Sequence, residues 1–191
     1  MKEKIINIIL ILLFLDCNVF ADTKTNEEEK GIFSKAWDIS KSTVLRAWNG
    51  DIYDLYIPVN TWHNRSMYDK FKTDRYNEKP YGAGFGKTRI IPENNNLEQI
   101  YFMIFSDSHK KPEFITGYNY IWRWGLDSQN NFNVGLGATV GFTIRTDFST
   151  PLALPILQIS YKFISAEATY IPGKYNSLNV LFSWIRLSYK F

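Results

Sequence analysis

One short segment of the chain brings a carboxylate, a hydroxyl and an imidazole together at the end of an apolar run. The segment is Tyr101–Lys111, YFMIFSDSHKK, in which Asp107, Ser108 and His109 are consecutive. Such groups occur together in catalytic sites, where one side chain accepts a proton from another, but the same residues can also form a polar turn that caps a strand. Neighbouring residues of a strand point to opposite faces, so Ser108 and His109 are poorly placed to act together. His63 is the other of the two histidines in the chain, and whether it reaches Ser108 depends on the fold.

The N-terminus has the pattern of a secretory signal peptide. Two lysines precede the apolar segment Ile5–Leu15, and residues 1–21 are predicted to be removed by cleavage after Ala21. The apolar segment is too short for a transmembrane helix, although an uncleaved anchor is the alternative. The single cysteine, Cys17, lies within the predicted signal peptide, so the mature chain would have neither a disulfide nor a thiol nucleophile.

A polar tail followed by an amphipathic helix is predicted for residues 22–50. Phe33, Trp37, Val44 and Trp48 recur at roughly helical spacing, with charged residues between them. Such a helix can rest its tryptophans at a membrane interface, and packing on a soluble core is the alternative.

From residue 51 onward the pattern changes to the alternation that indicates β-strands. In residues 132–145, FNVGLGATVGFTIR, apolar side chains share one face, and small or polar side chains share the other. Aromatic residues make up 17% of the chain, no mature apolar run is long enough to span a bilayer as a helix, and the last strand ends on Phe191. These features predict an all-β fold, an eight-stranded antiparallel outer-membrane β-barrel in residues 51–191, preceded by the N-terminal amphipathic α-helix. The strands are predicted near 52–62, 82–91, 99–106, 114–124, 132–145, 154–163, 165–171 and 179–191.

The strand order places the candidate chemistry at one end of this barrel. His63 ends the first predicted strand, and Asp107 and Ser108 end the third, so all three are predicted on the extracellular rim. The same rim carries the long loop 63–79. Seven basic residues on or near this loop could bind phosphate groups, although a solvated loop of mixed charge explains each of them equally well: Arg65, Lys70, Lys72, Arg75, Lys79, Lys87 and Arg89.

The interior of so small a barrel is either filled by side chains or holds one small ligand. The alternation places Gly135, Gly137 and Gly141 inward on strand five, and Leu154 and Ile156 inward on strand six. We interpret this as a hollow, partly apolar lumen that suits a hydrocarbon chain. The alternative is that the glycines only permit barrel curvature.

Four prolines lie within or beside the predicted strands: Pro58, Pro80, Pro155 and Pro172. Each lacks the backbone donor that a ladder needs, so each weakens a strand pairing. Weakened pairings in a closed barrel predict openings through which a lipid tail could pass sideways. Pro172 is explained equally well as an ordinary residue at a strand end.

Several long motifs in one order resemble the lipid A palmitoyltransferase (PagP) family. They are DLYIP-x-x-TWH at 54–63, YDKFKTDRYNEKPYGAGFG at 68–86, DS at 107–108, NFNVGLGATVGFT at 131–143, and TYIPGKYN-x-x-NV at 169–180. The resemblance implies an outer-membrane enzyme that moves a palmitoyl chain from the sn-1 position of a glycerophospholipid to the N-linked hydroxyacyl chain of lipid A. The product strengthens the membrane against cationic antimicrobial peptides. We expect no cofactor, no metal and no nucleic-acid partner, and a monomer or weak homodimer.

The resemblance also implies the catalytic residues, His63, Asp107 and Ser108. We expect His63 to be the base, Asp107 to orient or charge it, and His109 to have no catalytic part. Ser108 could form an acyl-enzyme or could position the ester. The absence of a GxSxG motif around it favours positioning.

One residue departs from the family pattern. In ITGYNYIW, residues 115–122, Asn119 stands where well-known members have a glycine that forms the floor of the acyl pocket. Alternation places Asn119 inward. A polar floor should shorten the slot, at a cost of roughly 0.8 kcal/mol for each methylene no longer buried. We therefore expect a chain shorter than palmitate, or a re-tilted pocket floor.

Two other classes of protein are the alternatives to an acyltransferase. A structural or adhesive small barrel would need neither inward glycines nor a rim with His, Asp and Ser. A soluble lipocalin-like carrier would lack the lipid-facing aromatics and the terminal Phe191.

Overall fold

The structure is a computed structural model and describes residues 27–146 and 149–190. The predicted signal peptide, residues 1–21, lies outside the described residues, as does the terminal Phe191.

Eight antiparallel strands close into a barrel in which each strand pairs with the next and the last pairs with the first. The predicted fold class is therefore confirmed. The strands are β1 Ile52–His63, β2 Gly82–Ile90, β3 Leu97–Ser106, β4 Pro112–Gly125, β5 Phe132–Arg145, β6 Ser149–Tyr161, β7 Ile164–Ile171 and β8 Val180–Lys190.

The predicted strand boundaries agree best where the alternation is strict. The limits of β5 match the prediction, whereas β6 begins at Ser149 instead of residue 154. The extra residues include Pro151, and they pair with β5 only. Proline is tolerated there because the other edge of the strand has no ladder to break.

Side chains alternate between the interior and the outside, as the sequence predicts. Along β5, Gly135, Gly137 and Gly141 are buried, while Leu136 and Val140 are exposed. Large apolar side chains also cover the outside of the other strands, and their exposed fractions reach 60% at Phe85 and 61% at Leu157. The barrel therefore has an apolar outer surface.

One long helix, α1, Glu27–Trp48, precedes the barrel and packs on its outer face. Val44 and Ala47 are buried against Ile100 of β3, with Tyr118 of β4 beside them. The predicted helix is confirmed, although the side chains of Phe33 and Trp37 lie outside the described residues. No helix within the described residues is both long enough and apolar enough to cross a membrane.

The barrel has two distinct ends. The His63 end carries the connections after β1, β3, β5 and β7, including the loop 64–81 with a 3-10 helix at Arg65–Met67 and the short helix α2 at Lys70–Thr73. The helix end carries the connections after β2, β4 and β6, together with the junction to α1.

Two strand pairs separate before they reach the His63 end. β1 and β2 pair only from Ile52 to Tyr56 on β1, and the following Pro58 lies at a shift in the register of β1 against β8. β6 and β7 pair only from Ile156 to Tyr161 on β6, and Pro155 is the next residue beyond that ladder. The predicted weakening of strand pairing beside Pro58 and Pro155 is confirmed.

The barrel interior has two layers. Toward the His63 end lies an apolar layer, formed by Tyr101, Met103, Phe105, Ile115, Phe182 and Trp184 among others. Toward the helix end lies a network of buried polar side chains. Arg186 donates to Asp54 over 2.9 Å and to Glu167 over 2.8 Å, and Glu167 also accepts from Trp184.

The expected hollow lumen is corrected by this network. Asp54, Glu167 and Arg186 are at most 5% exposed, so charged side chains occupy the part of the interior beside β1, β7 and β8. Alternation reveals which positions face inward, but it does not reveal that three charged residues on β1, β7 and β8 meet there. The apolar layer is the part of the interior whose side chains suit a hydrocarbon chain.

Candidate active site

His63 is the last residue of β1, and its side chain is nearly buried, with 3% exposed. Two tyrosines of the following loop enclose the ring. The ring centre of Tyr76 lies 4.5 Å from that of His63, and the edge contact with Tyr68 measures 5.3 Å. The ring is therefore fixed in position where β1 enters the loop.

The structure joins His63 to Ser108, as the strand order predicts. The Nε2 atom of His63 lies 3.0 Å from Oγ of Ser108, although the two residues are 45 positions apart. Ser108 lies in the turn that follows β3. A hydroxyl at this distance from an imidazole nitrogen can transfer its proton to that nitrogen.

The other ring nitrogen of His63 faces a residue that the sequence analysis missed. Oε1 of Glu78 lies 3.1 Å from Nδ1 of His63 and also accepts the backbone N–H of His63 over 3.0 Å. Oε2 of Glu78 accepts from Arg65 over 2.6 Å. Glu78 lies within the family-like motif at 68–86. One acidic residue in a loop of mixed charge gives no indication that it contacts a histidine.

Asp107 occupies the expected place but makes different contacts from those expected. Its Oδ1 accepts the backbone N–H groups of His109 and Lys111, each over 2.8 Å, and so closes the turn that carries Ser108. The expected orienting contact with His63 is made by Glu78 instead. Asp107 is positioned to shape the Ser108 turn.

His109 lies beside this pair without joining it. Its side chain is 63% exposed, and its Nδ1 lies 3.9 Å from Oδ2 of Asp107. Its ring contacts the edge of Tyr76. Since Ser108 contacts His63, the structure agrees with the argument that adjacent residues 108 and 109 do not act as a pair.

Asn77 connects the loop to the Ser108 turn. Its backbone N–H donates to the carbonyl oxygen of Ser108 over 2.9 Å. Its side-chain amide donates to Oγ of Ser106 over 3.2 Å and to the carbonyl oxygen of Asp107 over 3.3 Å. Asn77 therefore holds the Ser108 turn, and the adjacent Glu78 holds the ring of His63.

A second set of contacts, which we call the loop clasp, joins this loop to the connection between β7 and β8. The carboxylate of Asp69 accepts from the hydroxyl of Tyr175 over 2.7 Å and from the side-chain amide of Asn176 over 2.6 Å. The hydroxyl of Tyr68 donates to the carbonyl oxygen of Leu178. The clasp thus secures the segment whose Tyr68 ring packs on His63.

The charge state of Glu78 follows from its contacts. Partial burial raises the pKa of Glu78, but hydrogen bonds from the His63 backbone, Arg65 and the His63 ring outweigh burial, so the net pKa is lowered. Glu78 is therefore a carboxylate at neutral pH. Within residues 27–146 and 149–190, no group of three or more His, Cys, Asp or Glu residues could hold a metal ion.

The basic residues predicted near the rim divide into two groups. Lys87 and Arg89 lie toward the helix end of β2, where Lys87 stacks over Tyr53 and Arg89 pairs with Glu98, so their predicted place near the loop is wrong. The error arises because β2 runs away from the loop. The remaining five stay at the His63 end: Arg65, Lys70, Lys72, Arg75 and Lys79.

Asn119 faces inward, as predicted, and is fully buried. Its side-chain amide donates to Oε1 of Gln99 over 3.0 Å, and Gln99 in turn donates to Thr88. Asn119 is therefore the end of the polar network that borders the apolar layer. Among the described residues, its Oδ1 has no hydrogen-bond partner.

Comparisons with known proteins show the family of this chain. Residues 43–186 match the model of the family described as "Antimicrobial peptide resistance and lipid A acylation protein PagP". The chain is 46% identical to "Lipid A acyltransferase PagP" of Pectobacterium atrosepticum over 175 residues, covering 90% of this chain and 77% of the relative. It is 39% identical to the protein of the same name from Enterobacter lignolyticus over 186 residues, covering 95% and 96%. The match to the family model and the similarity to these relatives show that this chain belongs to the PagP family of lipid A acyltransferases.

Proposed function

We propose that this protein is an outer-membrane acyltransferase with a glycerophospholipid donor and lipid A as acceptor. It takes a palmitoyl chain, or one of similar length, from the sn-1 position and attaches it to the N-linked hydroxyacyl chain of lipid A. The modified lipid A gives resistance to cationic antimicrobial peptides. The observation that carries the proposal is the 3.0 Å contact between Ser108 and His63 at the end of the barrel where the interior is apolar.

The outer surface supports a place in the membrane. Each strand of the closed barrel pairs with both of its neighbours over part or all of its length, and the apolar outer band suits contact with lipid. With both termini at the periplasmic side, the His63 end faces outward, where lipid A is found. The two places where strand pairing stops, beside Pro58 and Pro155, give lipid chains a route from the bilayer to the apolar layer.

The chemistry starts at Ser108. Its Oγ attacks the carbonyl carbon of the sn-1 ester while Nε2 of His63 accepts the hydroxyl proton. The bond between the carbonyl carbon and the glycerol oxygen then breaks, and that oxygen takes the proton from His63. The lysophospholipid leaves, and the acyl chain remains on Ser108.

The second half of the reaction repeats these steps with lipid A. The hydroxyl of the hydroxyacyl chain attacks the acyl carbon and gives its proton to Nε2 of His63. The bond between the acyl carbon and Oγ of Ser108 then breaks, and Oγ takes the proton from His63. The absence of a GxSxG motif favours a positioning role for Ser108. The 3.0 Å contact favours the nucleophilic role, because the proton nearest to Nε2 is the serine's own.

The loop supplies positive charge for the acceptor. Lys70, Lys72, Arg75 and Lys79 lie on the loop that carries Glu78. Lysine and arginine form charge-assisted hydrogen bonds with phosphates, and lipid A carries phosphates. These residues are proposed to hold the acceptor above the His63 end.

Labelled donors test the reaction directly. Purified protein in detergent, given lipid A and a phospholipid labelled in the sn-1 chain, should yield lipid A heavier by one labelled chain. Label in the sn-2 chain should stay in the phospholipid. His63→Ala should abolish transfer while the barrel still shows a heat-dependent shift on gels. Transfer that survives this substitution would exclude His63 as the base, and no transfer by the unaltered protein would favour a non-enzymatic structural barrel.

A further inference from the structure

One oxygen of Glu78 fixes both the backbone and the ring of His63. Oε1 accepts from the backbone N–H over 3.0 Å and lies 3.1 Å from Nδ1. A carboxylate oxygen can only accept, so the proton of a neutral His63 belongs on Nδ1. Nε2 is then free of a proton and can accept the hydroxyl of Ser108.

Glu78 is itself held by its surroundings. Its second oxygen is bound by Arg65 over 2.6 Å, and its backbone carbonyl accepts from Thr61 of β1 over 3.0 Å. The preceding Asn77 is bound to the Ser108 turn. The adjacent residues Asn77 and Glu78 therefore connect the Ser108 turn to the His63 ring.

The other titratable and charged groups around His63 are engaged elsewhere or lie farther away. Asp107 is occupied by backbone donors of its own turn, and Arg65 binds the distant oxygen of Glu78. The ring of His109 contacts the edge of Tyr76, with 5.3 Å between the ring centres. Tyr68 and Tyr76 contact the ring through their aromatic faces and edges.

We infer that Glu78 is a positioning residue for acyl transfer, which holds His63 with Nε2 toward Ser108 and stabilises the imidazolium that forms when His63 takes the proton. This inference rests on the proposed function. It assigns to Glu78 the part that the sequence analysis assigned to Asp107. A carboxylate behind the base completes the arrangement of nucleophile, base and orienting group.

Glu78→Gln tests the inference, because glutamine keeps the length of the side chain and removes its charge. We expect kcat to fall at least about tenfold with little change in KM for the phospholipid. The acidic limb of the pH–activity profile should move about one pH unit lower, because the imidazolium loses its carboxylate partner. Asp69→Asn, which removes a loop carboxylate from the clasp, is the matched control and should leave that limb in place. A Glu78→Gln enzyme with an unshifted acidic limb would contradict the inference.

Nitrogen NMR gives a readout that does not depend on activity. In a His109→Gln background, His63 is the only histidine of the chain. The proton of neutral His63 should lie on Nδ1, and Glu78→Gln should increase the fraction with the proton on Nε2. An unchanged ratio of the two forms would overturn the assignment.

Different experimental results would contradict this inference and the proposed function. If His63→Ala is inactive while Glu78→Gln keeps the normal pH profile, only the role of Glu78 is wrong. If His63→Ala retains activity, the proposed function of His63 fails as well.

Discussion

The backbone N–H of Asn77 donates to the carbonyl oxygen of Ser108 over 2.9 Å, and the Asn77 side chain binds the same turn at Ser106 and Asp107. Asn77→Ala would keep the backbone bond and lose the side-chain bonds to Ser106 and Asp107, together with the bond that Oδ1 of Asn77 accepts from the backbone N–H of Lys79. We expect kcat to fall roughly tenfold because Ser108 is held less precisely, since small misplacements of reacting groups are costly. Steady-state kinetics with a labelled phospholipid measures this change.

Asn64→Ala provides the control for that substitution. The side chain of Asn64 accepts from the backbone and hydroxyl of Ser66, so it stabilises the same loop without binding the Ser108 turn. Its activity should stay within about twofold of the parent because its side-chain bonds do not reach the Ser108 turn. Equal losses in both variants would mean that general loop stability, and not the hold on Ser108, controls the rate.

Ser108 should carry the acyl chain between the two halves of the reaction. Incubation with phospholipid alone, followed by acid quenching and peptide mass spectrometry, should detect one acyl group on the peptide that contains Ser108. The Ser108→Ala variant should show neither the adduct nor transfer. Release of lysophospholipid only when lipid A is present, with no adduct, would instead assign Ser108 the positioning role.

Most of the fold could be predicted from the sequence because a membrane-facing strand must alternate. β5 shows this best: glycine and polar residues face inward, and leucine and valine face outward along its whole length. The two places where strand pairing stops could also be located, since Pro58 and Pro155 cannot donate to a ladder. The predicted start of β6 was less accurate. The first residues of this strand pair with β5 only, so they tolerate prolines, and prolines in a sequence resemble the end of a strand.

The site could be predicted only in part. His63 and Ser108 share one end because of strand order alone, and the structure joins them at 3.0 Å. The contact with Glu78 depends on the path of an irregular loop, which no periodicity determines. The buried network around Arg186 likewise depends on which inward positions share a level in a tilted barrel.

Asn119→Gly should lengthen the acyl chain that the enzyme accepts. The fully buried Asn119 side chain lies where the apolar layer meets the polar network, bound to Gln99. Removing it opens space for additional methylenes, each worth about 0.8 kcal/mol when buried. Mass spectrometry of lipid A from expressing cells should show a shift toward longer chains.

A control variant and the product of the unaltered protein give two further tests of this expectation. Asn133→Gly, which removes a buried inward amide near the helix end of β5, should leave the distribution unchanged. Clean addition of palmitate alone by the unaltered protein would rule out the shortened slot.

Arg186 should be essential for stability. It is buried between Asp54 and Glu167, so Arg186→Leu would leave two buried carboxylates without their cation. Breaking a buried pair in this way costs about 3–5 kcal/mol. Denaturant titration in detergent should show this loss in the free energy of unfolding.

Lys190→Ala is the control for Arg186→Leu. It breaks an ion pair with Asp51 in which both side chains are more than half exposed, so it should change the free energy of unfolding by less than about 1 kcal/mol. Comparable losses in the two variants would contradict the role of burial.

Acid should loosen the loop clasp. Hydrogen bonds from Tyr175 and Asn176 lower the pKa of Asp69 in the folded protein. A carboxyl group with a lowered pKa contributes stability above its unfolded pKa of about 4, and this contribution is lost as the pH falls through the lower, folded value. Protonation weakens Asp69 as an acceptor for Tyr175 and Asn176. Amide hydrogen exchange at residues 172–179 should therefore accelerate below about pH 4 relative to the β5 amides. In Asp69→Asn the exchange should already be faster at neutral pH and should lose this pH dependence. A pH dependence that persists in Asp69→Asn would assign the acid sensitivity to another carboxylate.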